Sequence, residues 1–240
     1  MVFIMHSTSL IQRFIYFSVL IFTHTAYSET VSFIPESCDG RHAPELVLVD
    51  GYTLKSPVHL VDGINPVIEK NIIRTVIEIP AGSNQKWEVE KLTGNLKWEF
   101  QNNNPRTVKY LAYPANYGLV PMTILSKENG GDGDPLDILV LGPAVPRGSV
   151  VEAKIIGVLR LLDKGQQDDK LIAVMAGTQF YEVDTIKDLE RKYPGVTTII
   201  DTWFANYKGE GKVEVLGYSG REVARNVLGQ ALDDYRKISR

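Results

Sequence analysis

The strongest constraint on the fold is a cluster of three aspartates within six residues: Asp132, Asp134 and Asp137. Gly133 allows a close backbone approach there, and Pro135 stiffens the middle of the segment. Carboxylates at this density repel one another unless a cation lies between them, and a hard cation such as Mg²⁺ prefers carboxylate oxygen. The branched apolar run from Ile138 to Leu141 predicts a buried strand that holds the acidic loop rigid.

Other interpretations of this acidic loop are a polar turn, an EF-hand or a phosphatase nucleophile. A polar turn before a strand explains two aspartates as well as a metal site does, but it does not explain the third. An EF-hand is excluded because Leu136 takes the place of its third ligand. A phosphatase nucleophile of the DxD type requires an apolar strand before its first aspartate, and residues 126–131 read SKENGG.

A second acidic cluster follows a long β-branched stretch, Val150 to Leu162, that is broken by Gly157. Its members are Asp163, Asp168 and Asp169. Lys170 and another strand, Leu171 to Val174, come directly after it. If the strands beside the two clusters are neighbours, the carboxylates converge and bind more than one divalent metal. Phosphoryl transfer uses this arrangement, and its substrate is anionic.

Basic and phenolic residues elsewhere are candidates for binding such a substrate: Lys86, Arg106, Lys170 and Lys208, with Tyr117 and Tyr207 as neutral donors. A single Lys on a strand is usually solvated, and Tyr207 is equally well explained as a core residue. Only their occurrence together with the acidic loops makes them candidates.

The secondary-structure pattern places strands before helices. Residues 75–80 read TVIEIP and predict a strand that contains the charge of Glu78, while residues 86–90 alternate polar and apolar and predict a second strand. Apolar positions from Val196 to Tyr207 predict a helix behind Pro194. A last helix is predicted to start at Ser219, with Glu222 completing a capping box. It is expected to bury Val223, Val227, Leu228, Ala231 and Tyr235.

The first 28 residues have the pattern of a signal peptide. Arg13 precedes a short apolar run, Phe14 to Phe22, and small residues at Ala26 and Ser28 predict cleavage after Ser28. We therefore expect an exported protein, periplasmic or secreted, without membrane association after cleavage. The alternatives are an uncleaved anchor and a cytoplasmic protein whose leader does not function. The single cysteine, Cys38, predicts a free thiol and no intrachain disulfide.

The motifs together resemble the soluble inorganic pyrophosphatases of family I, from about Thr75 to Lys208. The shared motifs are DGDPLD at Asp132 to Asp137, VIEIP around Glu78, KWE with Lys86 and Glu88, YPANYG from Tyr113 to Gly118, DKGQQDDK from Asp163 to Lys170, and YK at Tyr207 and Lys208. The resemblance implies an α+β, mainly β fold: a five-stranded OB-like barrel with two flanking helices. We expect a signal peptide at residues 1–28, an N-terminal extension with a hairpin at 29–70 and the pyrophosphatase domain at 71–240.

The resemblance also implies Mg²⁺-dependent hydrolysis of pyrophosphate by a metal-activated water, with three to four Mg²⁺ ions for which Mn²⁺ or Zn²⁺ can substitute. It assigns metal ligation to Asp132, Asp137, Asp163, Asp168 and Glu78. It makes Asp134 the acceptor of the water's proton and Tyr117 the residue that orients the water. Substrate binding falls to Lys86, Arg106, Lys170, Tyr207 and Lys208, with Glu88 and Tyr113 as additional site residues.

Partners follow from the same resemblance: pyrophosphate, and further copies of the chain in a homo-oligomer, with a hexamer favoured over a dimer. Many OB barrels bind single-stranded nucleic acid instead, but that use requires a basic groove with stacking aromatics. A net charge of −3 and six acids at the expected mouth, Asp169 included, argue against it. The intact acids and cations also argue against an inactive scaffold. An export leader is unusual for the family, whose members are mostly cytosolic.

Overall fold

The computed structural model of the protein describes residues 42–238. The leader and Cys38 lie outside the described residues. The described strands are β1 Val47–Asp50, β2 Thr53–Lys55, β3 Val67–Glu69, β4 Ile72–Ile79, β5 Trp87–Val89, β6 Leu96–Trp98, β7 Phe100–Gln101, β8 Asn104–Pro105, β9 Asn116–Leu119, β10 Asp137–Leu141, β11 Val150–Asp163, β12 Gln166–Gln167, β13 Lys170–Met175 and β14 Val213–Gly220. The α-helices are α1 Ile186–Lys192, α2 Val196–Asn206 and α3 Arg221–Ile238.

Five of these strands close into a barrel in the order β4, β9, β10, β13 and β11. The pairs β4–β9, β9–β10, β13–β11 and β11–β4 are antiparallel, whereas β10 and β13 run parallel. Because β11 pairs with β4 as well as with β13, the ring has no free edge. The mainly β fold with a five-stranded barrel is therefore confirmed.

The central barrel strands are buried on both faces, as the apolar run of β10 predicts. Leu139 and Leu141 pack in one core together with residues of α1 and α2, while Ile138 and Val140 belong to a second core that α3 covers. Side chains alternate along a strand, so Asp137 projects to the same side as Leu139, one step beyond that core. The register of β10 thus fixes where this carboxylate points.

The long strand β11 pairs with several other strands because it changes register at Gly157. Its first part pairs with β4 and its last part with β14, and the ladder to β13 shifts between Ile155 and Gly157. A Cβ atom at Gly157 would lie 2.7 Å from the carbonyl oxygen of Ser219, which is too close for any side chain. The glycine that interrupts this β-branched stretch therefore permits the close approach of β14.

The helical region differs from the sequence-based expectation at three points. Helix α2 begins behind Pro194 as predicted, but α1 and β14 were not predicted. Ser219 is not a helix cap: it pairs with Val158 inside β14, and α3 starts two residues later. Leu228 and Ala231 are buried as expected, whereas Val223 is exposed. Three α-helices, not two, flank the barrel among residues 42–238.

The described part of the N-terminal extension forms strands that add to the sheets. The predicted hairpin is confirmed, because β1 pairs antiparallel with β2, and β2 continues through β6 to β5 in a second sheet. Strand β3 pairs with β4 of the barrel. Within residues 42–238, every helix is too short or too polar to cross a lipid bilayer.

Gly118 in β9 provides a test of barrel packing. A Cβ atom there would lie 1.8 Å from the carbonyl oxygen of Val76, so Gly118→Ala forces two barrel strands apart. We expect the free energy of unfolding to fall by about 3 kcal/mol. The control is Gly229→Ala in α3, where no atom lies within 4 Å and alanine should stabilise the helix by about 1 kcal/mol. Urea unfolding measures both, and equal stability of the two variants would contradict the packing described.

Candidate active site

One cavity of about 530 Å³ collects all the residues that the sequence assigned to metal, substrate or catalysis. These are Glu78, Lys86, Glu88, Arg106, Tyr113, Tyr117, Asp132, Asp134, Asp137, Asp163, Asp168, Lys170, Tyr207 and Lys208. They come from segments more than a hundred residues apart along the chain, and the barrel brings them to one end.

The parallel pairing of β10 and β13 explains how the two acidic loops meet. Ile138 lies opposite Leu171, so Asp137 and Lys170 begin neighbouring strands at the same end of the barrel. The Nζ atom of Lys170 lies 2.5 Å from Asp137 Oδ2 and 2.5 Å from Asp168 Oδ1. One ammonium group, 2% exposed, thus links an acid of each loop.

The charges of this trio shift one another's pKa. Burial works to raise the pKa of Asp137, but Lys170 and Lys86 outweigh it and hold that pKa below its ordinary value. Burial, assisted by the charge of Asp137, raises the pKa of Asp168. The pKa of Lys170 is raised although its burial opposes this, because both carboxylates favour the ammonium form. Lys170 therefore keeps its positive charge throughout the physiological range.

Asp163, at the end of β11, faces the same cavity. Its Oδ2 atom lies 2.6 Å from Lys208 Nζ, while its Oδ1 atom is buried without a hydrogen-bond partner. An unpaired buried carboxylate oxygen is costly unless a cation or water meets it. This oxygen is accordingly a natural ligand for a divalent ion.

The acidic loop before β10 is held by its own backbone. The Asp134 N–H donates to Asp132 Oδ1 at 2.9 Å, and the carbonyl oxygen of Asp134 accepts from Leu125 N at 2.8 Å. The Asp134 carboxylate contacts the ammonium group of Lys91. Both aspartates keep part of their side chains open to solvent.

Glu78 and Lys86 form the opposite wall. The Glu78 carboxylate is buried in β4 and accepts a 2.7 Å hydrogen bond from Val89 N. Burial raises the pKa of Glu78 to about 8, and Lys86 opposes that rise only in part. Burial lowers the pKa of Lys86, but Tyr113, Glu88 and Glu78 together raise it above its ordinary value. Lys86 Nζ lies 2.6 Å from Glu88 Oε1.

Three tyrosines cover the floor of the cavity. Tyr113 and Tyr117 are buried with ring centroids 5.2 Å apart, and burial raises the pKa of both hydroxyl groups. The hydroxyl group of Tyr117 also lies close enough to the Asp137 carboxylate to help lower its pKa. The ring of Tyr207 stacks on Trp203 with centroids 4.4 Å apart, at the end of α2. The hydroxyl groups of Tyr113 and Tyr117 are therefore donors, because they remain protonated.

Arg106 reaches the cavity between β8 and β9. Its Nη1 atom lies 2.7 Å from each carboxylate oxygen of Glu99, and the carbonyl oxygen of Arg106 accepts from Trp98 Nε1. Burial acts to lower the pKa of Arg106, but Glu99 more than offsets this effect, so the pKa lies above its ordinary value. The guanidinium is thus held in place beside the cavity with further donors available.

Asp169 does not belong to the site, contrary to its inclusion among the six acids of the mouth. Successive residues of an extended segment point to opposite sides, so Asp168 and Lys170 face the cavity while Asp169 faces away. Asp169 is 3% exposed and pairs with Arg160 at 2.7 Å and with Gln167 at 2.8 Å. Its charge is compensated within the protein.

Several lining residues were not assigned to the site by sequence reasoning: Glu90, Lys91, Lys97, Glu99, Gln166 and Gln167. Lys91 comes directly after the alternating strand that identified Lys86 and Glu88, but its partner in the acidic loop lies 43 residues further on. No local pattern indicates such a contact. Only the folded chain shows it.

The cavity's donor set fits hard divalent cations. Its potential ligands are carboxylate oxygens, which Mg²⁺ and Mn²⁺ prefer, and Asp163 supplies one without any other partner. Within residues 42–238 no three Asp, Glu, His or Cys side chains surround a single point as a metal requires. Instead the ammonium groups of Lys170 and Lys208 lie against the acids.

Comparisons with known proteins agree with one another. The inorganic pyrophosphatase family model matches residues 75–236, which include every residue lining the cavity. The chain is 38% identical over 173 residues to soluble inorganic pyrophosphatase 2 of Chlamydomonas reinhardtii, covering 70% of this chain and 82% of that protein. It is 36% identical over 174 residues to the inorganic pyrophosphatase of Halalkalibacterium halodurans, covering 70% and 98%. The solved inorganic pyrophosphatase of Helicobacter pylori aligns with a TM-score of 0.61 and 35% identity, covering 72% of this chain and 98% of that one.

Glu78 should make the metal-free protein less stable as the pH rises. Its carboxyl has a pKa of about 8 in the folded protein against an ordinary value of 4.5, so between these values the folded state holds a proton that the unfolded chain has released. The free energy of unfolding then falls by up to about 1.4 kcal/mol per pH unit. Urea unfolding in EDTA at pH values between about 5 and about 8 measures this slope.

Glu78→Gln should remove that part of the slope, because glutamine does not titrate and its amide oxygen can still accept from Val89 N. The matched control is Glu69→Gln, at an exposed position of β3, which should keep the wild-type slope. Parallel profiles for wild type and Glu78→Gln would refute the raised pKa.

Proposed function

The chain belongs to the inorganic pyrophosphatase family, and we propose that it hydrolyses pyrophosphate to two phosphates with divalent metal ions held in the acidic cavity. The observation that carries this proposal is the meeting of the two acidic loops at Asp137, Asp168 and Lys170, opposite the cationic groups of Lys86, Arg106 and Lys208. A compact, highly charged anion such as pyrophosphate needs both kinds of group at once.

We assign metal ligation to five carboxylates: Asp132, Asp137, Asp163, Asp168 and Glu78. Three to four Mg²⁺ ions, replaceable by Mn²⁺ or Zn²⁺, would polarise the phosphoryl oxygens and lower the pKa of a bound water. Glu78 differs from the others because its pKa of about 8 keeps it mostly protonated at neutral pH. It therefore has to release a proton before it can serve as a ligand.

The proton of the attacking water goes to Asp134. This carboxylate lies in the loop between the metal ligands Asp132 and Asp137 and is open to solvent, with its side chain 57% exposed. Tyr117 acts as a donor rather than a base, since burial keeps its pKa well above the ordinary value. Its hydroxyl orients the water and the Asp137 carboxylate.

The cationic side chains bind the phosphoryl oxygens and offset charge on the leaving phosphate. Lys86, Arg106 and Lys208 are each held by a carboxylate, at Glu88, Glu99 and Asp163. Such pairs keep the long side chains oriented toward the cavity before substrate enters. Lys170 contributes positive charge and keeps Asp137 and Asp168 in place. Tyr207 donates a hydrogen bond to the substrate from the edge of the cavity. The ring of Tyr113 packs against that of Tyr117.

We further propose that the protein works outside the cytoplasm as a homo-oligomer, with a hexamer favoured. The leader pattern at residues 1–28 supports export, and the family resemblance supports assembly.

Asp134→Asn should abolish most of the activity, because an amide cannot accept the water's proton. Phosphate release from pyrophosphate with Mg²⁺ should fall by about 10² or more, the range of a lost general base. The control is Asp233→Asn on α3, an exposed acid that pairs with Arg236 and does not line the cavity. EDTA should stop the wild-type reaction, and a fully active Asp134→Asn enzyme would overturn the assignment.

The export proposal has its own test. Cells expressing the full-length chain should release the protein from the cytoplasm with a mature N-terminus near Glu29, and replacing Arg13 and the apolar run should retain it inside. Fractionation with mass analysis of the N-terminus gives the result. An intact Met1 terminus in the cytoplasmic fraction would contradict export.

A further inference from the structure

Lys91 binds the carboxylate to which the proposed function gives the proton-accepting role. The Nζ atom of Lys91 contacts Asp134 Oδ1 and also donates a 3.0 Å hydrogen bond to the carbonyl oxygen of Gly133. Lys91 lies outside every motif on which the family resemblance rests. Two bonds from one ammonium group thus connect the turn after β5 to the acidic loop before β10.

Both ends of this connection are anchored. Lys91 lies in the β5–β6 turn, where Gly94 N and Thr93 N both donate to the carbonyl oxygen of Glu90. The Glu90 carboxylate is in turn held by Lys97 at 2.6 Å and Thr93 at 2.5 Å. On the acidic loop, Gly133 N donates to Leu125 O at 2.8 Å. Lys91 therefore reaches from one fixed turn to another.

The Lys91–Asp134 pair is open to water, with 55% and 57% of the two side chains exposed. Ion pairs this exposed add little to the free energy of unfolding. Global stability is therefore a poor explanation for the contact. What the contact does fix is orientation: Oδ1 of Asp134 is taken by the ammonium group, which leaves Oδ2 as the oxygen that can accept a proton.

The ammonium groups that contact the proposed metal ligands are more enclosed than that of Lys91. Lys170 is 2% exposed and Lys208 is 25% exposed, and they hold the metal-ligating acids Asp137, Asp168 and Asp163. Lys91 holds an acid to which the proposed function assigns no metal. Metal ions at those acids would compete with Lys170 and Lys208 for carboxylate oxygens, whereas the Lys91–Asp134 contact would have no such competitor.

We propose that Lys91 is a positioning residue for pyrophosphate hydrolysis, which orients the Asp134 carboxylate and the Gly133 carbonyl so that Oδ2 receives the water's proton. This inference rests on the proposed function. In this role Lys91 acts through Asp134 rather than by binding the reacting phosphoryl group. It should therefore affect kcat more than KM.

The kinetic test uses Lys91→Met, Lys91→Arg and Lys192→Met. Lys192 is the matched control, because its Nζ atom also contacts a carboxylate and a backbone carbonyl oxygen, both of Glu182, away from the cavity. We expect Lys91→Met to lower kcat about tenfold with KM within about twofold, and Lys91→Arg to recover most of the loss. A raised KM with unchanged kcat would overturn positioning in favour of direct phosphate binding.

A double-mutant cycle separates positioning from a general structural effect. Adding Lys91→Met to Asp134→Asn should cost no more than about a further twofold, because the group that Lys91 orients no longer accepts a proton. A full tenfold additional loss would overturn the proposal. The Lys192→Met change should be without effect in either background.

Amide hydrogen exchange in the metal-free protein supplies a readout independent of activity. Lys91→Met should speed exchange at Gly133 and Asp134 about tenfold, and Lys192→Met should not. Inactive wild-type protein would overturn the proposed function, yet the exchange rates would still report whether Lys91 holds the loop. Active wild type with unchanged kcat in Lys91→Met would overturn the positioning role alone.

Discussion

The parallel pairing of β10 and β13 is the constraint on which the site depends. It places Asp137 and Asp168 at one end of the barrel, where their mutual repulsion would be severe without a cation between them. Lys170 supplies that cation as the first residue of β13. Replacing a buried charge network by apolar residues is often neutral or stabilising, so stability alone does not explain the presence of this one.

Burial in the cavity shifts the pKa values of its titratable groups, and these shifts suit the proposed chemistry. Burial raises the pKa of Glu78 to about 8 and keeps the hydroxyl of Tyr117 protonated, while Asp134 remains open to solvent. The cavity thus contains a carboxyl that holds its proton, a permanent donor and an exposed acceptor. In a low-dielectric wall the two buried groups, Glu78 and Tyr117, interact with a phosphoryl anion more strongly than they would in water.

The local sequence pattern predicted those parts of the structure in which several informative residues lie close together along the chain. Composition and periodicity predicted the two acidic loops, the buried strand β10 and the helix behind Pro194. Ser219 was misassigned because Ser-x-x-Glu satisfies a capping box locally, whereas pairing with Val158 in β11 determines its conformation. Asp169 was placed at the mouth wrongly and Lys91 was missed, since side-chain direction and long-range contacts depend on strand register. The residues of the six motifs line one cavity, as the family resemblance implies.

The central claim is that acids from two distant loops form one site for divalent ions. Calorimetric titration of EDTA-treated protein with Mg²⁺ tests it most directly, in wild type, Asp137→Asn, Asp163→Asn and the surface control Asp233→Asn. We predict binding of more than one ion by wild type and the control, with sites lost or weakened at least about tenfold in the other two variants. Equal binding by all four proteins, or none by wild type, would contradict the claim.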